Sequence, residues 1–98
     1  TGSNILSEDQ VDALDGSKLL VCLGKEGMAS SRFQDITVKM DPGSILEKQN
    51  FKLIRNNKGP VILYSENISV SAKVWMLLSE MGVKELYILT DERQDQRN

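Results

Sequence analysis

The residues of this chain best placed to do chemistry lie between two apolar patterns. Ser65, Glu66, Asn67, Ile68, Ser69 and Val70 follow the run VILY and precede a helix-spaced stretch. In an open α/β sheet, a loop that leaves the carboxyl end of a strand and enters a helix turns backbone N–H groups toward whatever sits there. Such a loop offers an anion-binding site, and its side chains decide what can follow. Ser65 stands first in it, but a serine hydroxyl needs an adjacent base to act as a nucleophile, and the chain has no histidine. The plain alternative is a strand-end hydroxyl that bonds the loop backbone. Ser69 and Lys73 have the four-residue spacing of a Ser-Lys pair, although a lysine so placed is most simply a solvated helix side chain. Cys22, the single cysteine, lies inside KLLVCL, where a cysteine serves as a small buried hydrophobe unless it is a sulfur carrier. Gly24-Lys25-Glu26-Gly27 follows that run as phosphate loops follow strands, but it lacks the order G-x-x-x-x-G-K-[ST]. Without histidine and with one cysteine, His-dependent triads, cysteine zinc sites and an internal disulfide are excluded. No metal and no cofactor is expected.

The elements that must position these residues are legible in the hydrophobic pattern. Ser7-Glu8-Asp9-Gln10 has the form of a capping box, and Val11 and Leu14 at helical spacing extend it to a short helix ending near Asp15-Gly16. Residues 18–23 (KLLVCL) and 61–64 (VILY) are compact apolar runs, the signature of strands buried on both faces. Ile36, Val38 and Met40 alternate with Thr37 and Lys39 as a half-exposed strand does, and Asp41-Pro42-Gly43 stops it. Ser44-Ile45-Leu46-Glu47 repeats the capping-box form and opens a helix through Phe51, Leu53 and Ile54, ending around Asn57 to Pro60. From Ser71, the positions Val74, Trp75, Leu77, Leu78 and Met81 follow helical spacing to Gly82, a C′ glycine. Trp75 is expected to pack on the sheet. Residues 86–89 (LYIL) form the third apolar strand. Apolar strands joined by a helix through short loops make a βαβ unit with parallel strands and a right-handed crossover. The predicted fold is therefore α/β, a small three-layer sandwich with a mainly parallel central sheet flanked by helices. Residues 90–98 are polar and are expected to fray.

Ninety-eight residues with 40% apolar and 27% charged side chains suit one domain with one core. Net charge is −2, with no run of adjacent Lys and Arg, so the basic footprint of a nucleic-acid binder is missing. No apolar run approaches the roughly 18 residues of a membrane helix. One cysteine fits a reducing cytosol better than a disulfide-rich exterior. The sequence opens on Thr1-Gly2-Ser3 rather than Met, which leaves an upstream signal or anchor open.

Residues 61–89, VILYSENISVSAKVWMLLSEMGVKELYIL, resemble without a gap the second half of rhodanese-like domains. That family carries an apolar strand, a nucleophilic Cys, a loop of about six residues, an amphipathic helix closed by Gly, and a last strand reading roughly V-Y-x-L. In the resemblance, Ser65 stands at the nucleophilic Cys, Val70 at an Arg that helps bind anionic substrate, and Ser71 at a small hydroxyl residue opening the helix. Gly82 stands at the helix-ending glycine and Tyr87 at the last strand's aromatic. Residues 18–24 look like the strand that usually reads L-I-D-V-R, with Cys22 at the acid and Gly24 at the Arg. Residues 32–40 look like the stretch that usually contains G-H-I-P-G-A-x-N-I. The acid, the Arg and the His are absent here, and Asp91-Glu92-Arg93 stands where the family often has two glycines. A persulfide requires a thiolate stabilised by amides and nearby positive charge, whereas Glu66 adds negative charge and Ile68 and Val70 make the loop apolar. The resemblance thus implies a rhodanese-like domain without catalysis, acting in binding or regulation through a protein partner. The enzyme alternative is a thiosulfate or persulfide sulfurtransferase whose native Cys at position 65 has been replaced by Ser. A hydrolase using Ser65 is the third reading.

Overall fold

A computed structural model describes residues 4–24 and 31–90. The Gly-Lys-Glu-Gly segment beyond Gly24 and the tail beyond Thr90 lie outside the described residues. The chain runs β1 (Ile5–Leu6), α1 (Glu8–Asp12), β2 (Leu19–Leu23), a 3-10 segment (Ser31–Ile36), β3 (Thr37–Met40), a 3-10 turn (Pro42–Ser44), α2 (Lys48–Arg55), β4 (Val61–Tyr64), α3 (Ile68–Glu80) and β5 (Leu86–Leu89). The strands form one sheet in the order β1-β5-β4-β2-β3, and every pairing is parallel. The expected α/β fold is present, with a sheet that is wholly rather than mainly parallel among the described residues.

All residues of β2 and β4 are buried, because parallel strands covered on both faces have no water-facing side. Alternation then divides the core. Leu19, Val21 and Leu23 of β2 join Val61 and Leu63 of β4 under Ile54 of α2 and Val74 and Leu78 of α3. Leu20 and Cys22 join Ile62 and Tyr64 on the opposite face, under Val11 of α1 and Phe33 of the 3-10 segment. Three layers result. Trp75 packs against the first core and donates its indole N–H to the Leu86 carbonyl at 2.8 Å, as expected of a tryptophan laid on the sheet.

Helix ends depart from the expectation in instructive ways. The box at Ser7 forms in both directions, Ser7 N–H to Gln10 Oε1 at 2.9 Å and Gln10 N–H to Ser7 Oγ at 3.3 Å. The helix it opens nevertheless stops at Asp12 rather than near Gly16, where Lys18 Nζ donates to the terminal carbonyls of Val11 and Asp12. The second expected box does not form. Asp41 caps the Pro42–Ser44 turn by accepting from Gly43 N–H, the Ser44 carbonyl accepts from Glu47 N–H and Asn50 Nδ2, and Ile45 turns into the core. Helix α2 therefore starts only at Lys48, with Glu47 at its N-cap and no side-chain cap bond. Helix α3 starts earlier than expected, at Ile68 instead of Ser71, so Ile68, Ser69 and Val70 form its first turn and not a loop.

Two glycines are required where they stand. Gly82 closes α3 at φ 91° in a Schellman arrangement, Val83 N–H to Leu78 O at 3.1 Å and Gly82 N–H to Ser79 O at 3.0 Å. At Gly59 a Cβ would meet the Ser17 backbone, with its nitrogen at 2.6 Å, which keeps the entry to β4 against the entry to β2. Just past β5 a further expectation fails. Thr90 does not begin a frayed tail: it is buried and donates its N–H (2.9 Å) and Oγ1 (3.3 Å) to Leu6 O of β1.

Candidate functional site

Strand β4 delivers Ser65 to the carboxyl end of the sheet, where the side chain is 4% exposed. Its hydroxyl donates to the Asn67 carbonyl at 2.6 Å. The same oxygen accepts from Ser71 N–H at 3.1 Å and lies 2.6 Å from Ser71 Oγ. With the one Ser65 proton committed to Asn67, the Ser71 hydroxyl is the donor in that last contact. One donor and two acceptor positions are thus all used. To attack a substrate, Ser65 would have to break this network and lose its proton to a base, and its neighbours are a carbonyl and a second buried hydroxyl.

Three amides at the start of α3, those of Ser69, Val70 and Ser71, are similarly occupied. Asn67 caps α3, its Oδ1 accepting from Ser69 N–H at 3.0 Å and from Ser69 Oγ at 2.8 Å. Val70 N–H donates to the Asn67 carbonyl at 2.9 Å, and Ser71 N–H is held by Ser65. Three of the donors an incoming anion would use at this helix start are thus satisfied within the chain. Glu66, Asn67, Ile68 and Ser69 are exposed, whereas Val70 is half-buried against the core beneath α2 and α3. The Ser69 hydroxyl is turned to Asn67, and Lys73 makes no hydrogen bond to it, so that pair is not assembled.

Cys22 is 1% exposed. Burial pushes its thiol above the ordinary 9.0, with the Lys39 charge pulling weakly the other way, which keeps it protonated and unreactive at neutral pH. Its neighbour across the ladder is Tyr64, one residue before Ser65, and the two share the core under α1. Ser65 is instead tied to α3 on the other face. The sheet therefore separates the lone thiol from the loop. Among the described residues no three or more His, Cys, Asp or Glu side chains gather as metal ligands would.

Sequence reasoning brought Ser65 and the residues up to Val70 to one place, but missed Ser71 as the partner that saturates the hydroxyl. The Asn67-x-Ser69 spacing was the available signal, since an Asn whose side chain caps the second residue on marks a helix start. It also missed a cleft at the opposite, amino end of β4 and β5, lined by Arg55, Lys58, Lys84 and Glu85. Comparison of the chain with models of protein families, with curated proteins and with solved structures returned no match.

Proposed function

We propose that this chain is a rhodanese-like domain that does not catalyse sulfur transfer and that acts by binding a protein partner. The observation that carries the reading is the state of Ser65: a buried hydroxyl at the family's nucleophile position with every hydrogen-bonding valence used by Asn67 and Ser71. The resemblance over residues 61–89, Val70 in place of the anion-binding Arg, and the Ser69, Val70 and Ser71 amides bonded within the chain all support it. Fold and function are separable here, because a scaffold outlasts the chemistry grafted on it.

Thiosulfate-to-cyanide transfer assayed on the chain and on Ser65→Cys tests this reading against the enzyme alternative. No turnover is expected from either, since a thiol at 65 does not restore the positive charge a persulfide needs, and the Ser69 and Val70 amides stay bonded to Asn67. Turnover by Ser65→Cys would reject the proposal in favour of a sulfurtransferase with its nucleophile replaced. Turnover by the unchanged chain that alkylation of Cys22 abolishes would reject both.

A further inference from the structure

The amino end of the sheet is built differently from the loop at its carboxyl end. A cavity of about 460 Å³ opens between the end of α2 and the turn after α3, and Arg55, Lys58 and Lys84 all line it, with Glu85 the one acid on its wall. A second depression of about 410 Å³ shares Asn57 and Lys58 and adds Leu53 and Asn56. The two adjoin at Asn57 and Lys58, which line both, as the two ends of a groove that passes over the end of α2.

A basic track leads into it. Lys48, Lys52 and Arg55 recur at i, i+4 and i+7 on α2, a stripe about 10 Å long at 1.5 Å per residue. Residues 48–58 contain four Lys or Arg and no Asp or Glu. Lys48, Lys52, Arg55, Lys58 and Lys84 are all exposed, and none forms an ion pair with another described residue. Like charges at helical spacing repel, and although the dipole of α2 favours Lys52 and Arg55 in its last turn, the stripe is a local concentration of positive charge on a chain whose net charge is −2. An anion on the stripe would relieve that repulsion. Glu85 adds a second sign, being the only non-glycine residue among those described with a positive φ, 53°, and held so by Val61 N–H donating to its carbonyl at 2.9 Å. Backbone held in this region is concentrated at ligand clamps and switch regions.

The groove also selects among anions. Leu53 lines the second depression and is 45% exposed, which gives nothing to a phosphate but can anchor an apolar side chain, and Asn56 beside it carries an amide able to donate to and accept from a peptide backbone. We infer that this groove docks an acidic segment of a partner protein, its carboxylates on Arg55, Lys58 and Lys84 and one apolar side chain on Leu53. The inference stands apart from the Ser65 loop, which lies at the other end of β4.

The test is fluorescence anisotropy with a labelled peptide of Asp and Glu bearing one central Leu, alongside a thymidine oligonucleotide of equal charge and phosphatidylserine vesicles. The peptide should bind saturably and more weakly as salt rises. Arg55→Glu or Lys58→Glu should each weaken it about fivefold, Glu85→Gln should tighten it, and Lys73→Glu on α3, outside the groove, should leave it unchanged. Amide shift perturbation on the unmodified protein gives an independent readout, with the largest shifts expected at Leu53, Asn56, Asn57, Lys58 and Lys84. Absence of saturation, shifts centred elsewhere, or indifference to replacing the peptide's Leu by Ser would overturn the inference. Tighter binding of the oligonucleotide or the vesicles would overturn it too, in favour of a different polyanion.

Discussion

The two faces of the sheet are covered by different means. On one, the eight residues of α2 and the thirteen of α3 lay Ile54, Val74 and Leu78 on the strands, and the layer is held by apolar burial. On the other, a five-residue α1 and a 3-10 segment supply Val11 and Phe33, too little helix to persist without tertiary support. That layer is joined by charge: Arg32 of the 3-10 segment reaches Asp9 at 3.0 Å, Asp12 at 3.1 Å and Glu8 at 3.4 Å on α1. A short helix can cover a buried strand when a cation clamps it to its neighbour, but the clamp is screened by salt and the burial is not.

The largest expected difference between the faces lies in the core. Leu78→Ala removes a fully buried side chain packed between α3 and the sheet and should cost about 3.5 kcal/mol, transfer and cavity together. Val11→Ala, equally buried, should cost about 1.5 kcal/mol, less per carbon removed, because a one-turn helix can settle into the space. Urea denaturation measures both. Equal cost per carbon would mean that α1 is packed as rigidly as α3 and would erase the distinction. Native-state hydrogen exchange sharpens it, with the α1 amides expected to open locally and those of α3 only with the whole molecule.

What could be read from the sequence follows the same division. Strands β2, β4 and β5 and the pattern from Val74 to Gly82 were legible because burial on both faces of a strand and one face of a helix leaves an unbroken or periodic apolar signal. The start of α3 was hidden because Ile68 and Ser69 are exposed, so its first turn carries no core periodicity and only the Asn67 cap marks it. Strand β1 is two residues long, too short for any period. The clamp on α1 joins residues twenty or more apart through an arginine whose isolated position says nothing of its partners. At the loop, the position of Ser65 was visible, but its saturation depends on Ser71 folding back across a helix turn, a contact only the three-dimensional arrangement supplies.

Cys22 offers a pH probe of the thinner face. Its thiol is raised above 9.0 in the folded chain, chiefly by burial, so between 9.0 and the folded value the native state binds more protons than the unfolded one. Stability therefore falls as pH rises through that window and is unaffected by this group below it. Cys22→Ala should flatten the decline above pH 9, when urea midpoints are compared at pH 8 and at rising alkaline values. An unchanged slope would show that the pocket under α1 admits enough water to leave the thiol unperturbed.

The smallest effect expected is at Arg32, and it separates charge from packing most directly. The guanidinium is held by side-chain bonds to Asp9 and then Asp12, which raise its already high pKa, and its carbon also lies 5.8 Å from the Phe33 ring centre. With the side chain 39% exposed, the ion pairs should contribute modestly and only at low ionic strength. Arg32→Ala should therefore lower the melting temperature slightly in dilute buffer and speed exchange of the α1 amides. Both differences should vanish near 1 M salt, where screening acts within about 3 Å. Arg32→Lys should recover only part, because an ammonium cannot present a planar fork to two carboxylates at once. If instead the loss in Arg32→Ala persists undiminished at high salt, Arg32 holds this face through its contact with Phe33, and both layers of the molecule are fastened by packing after all.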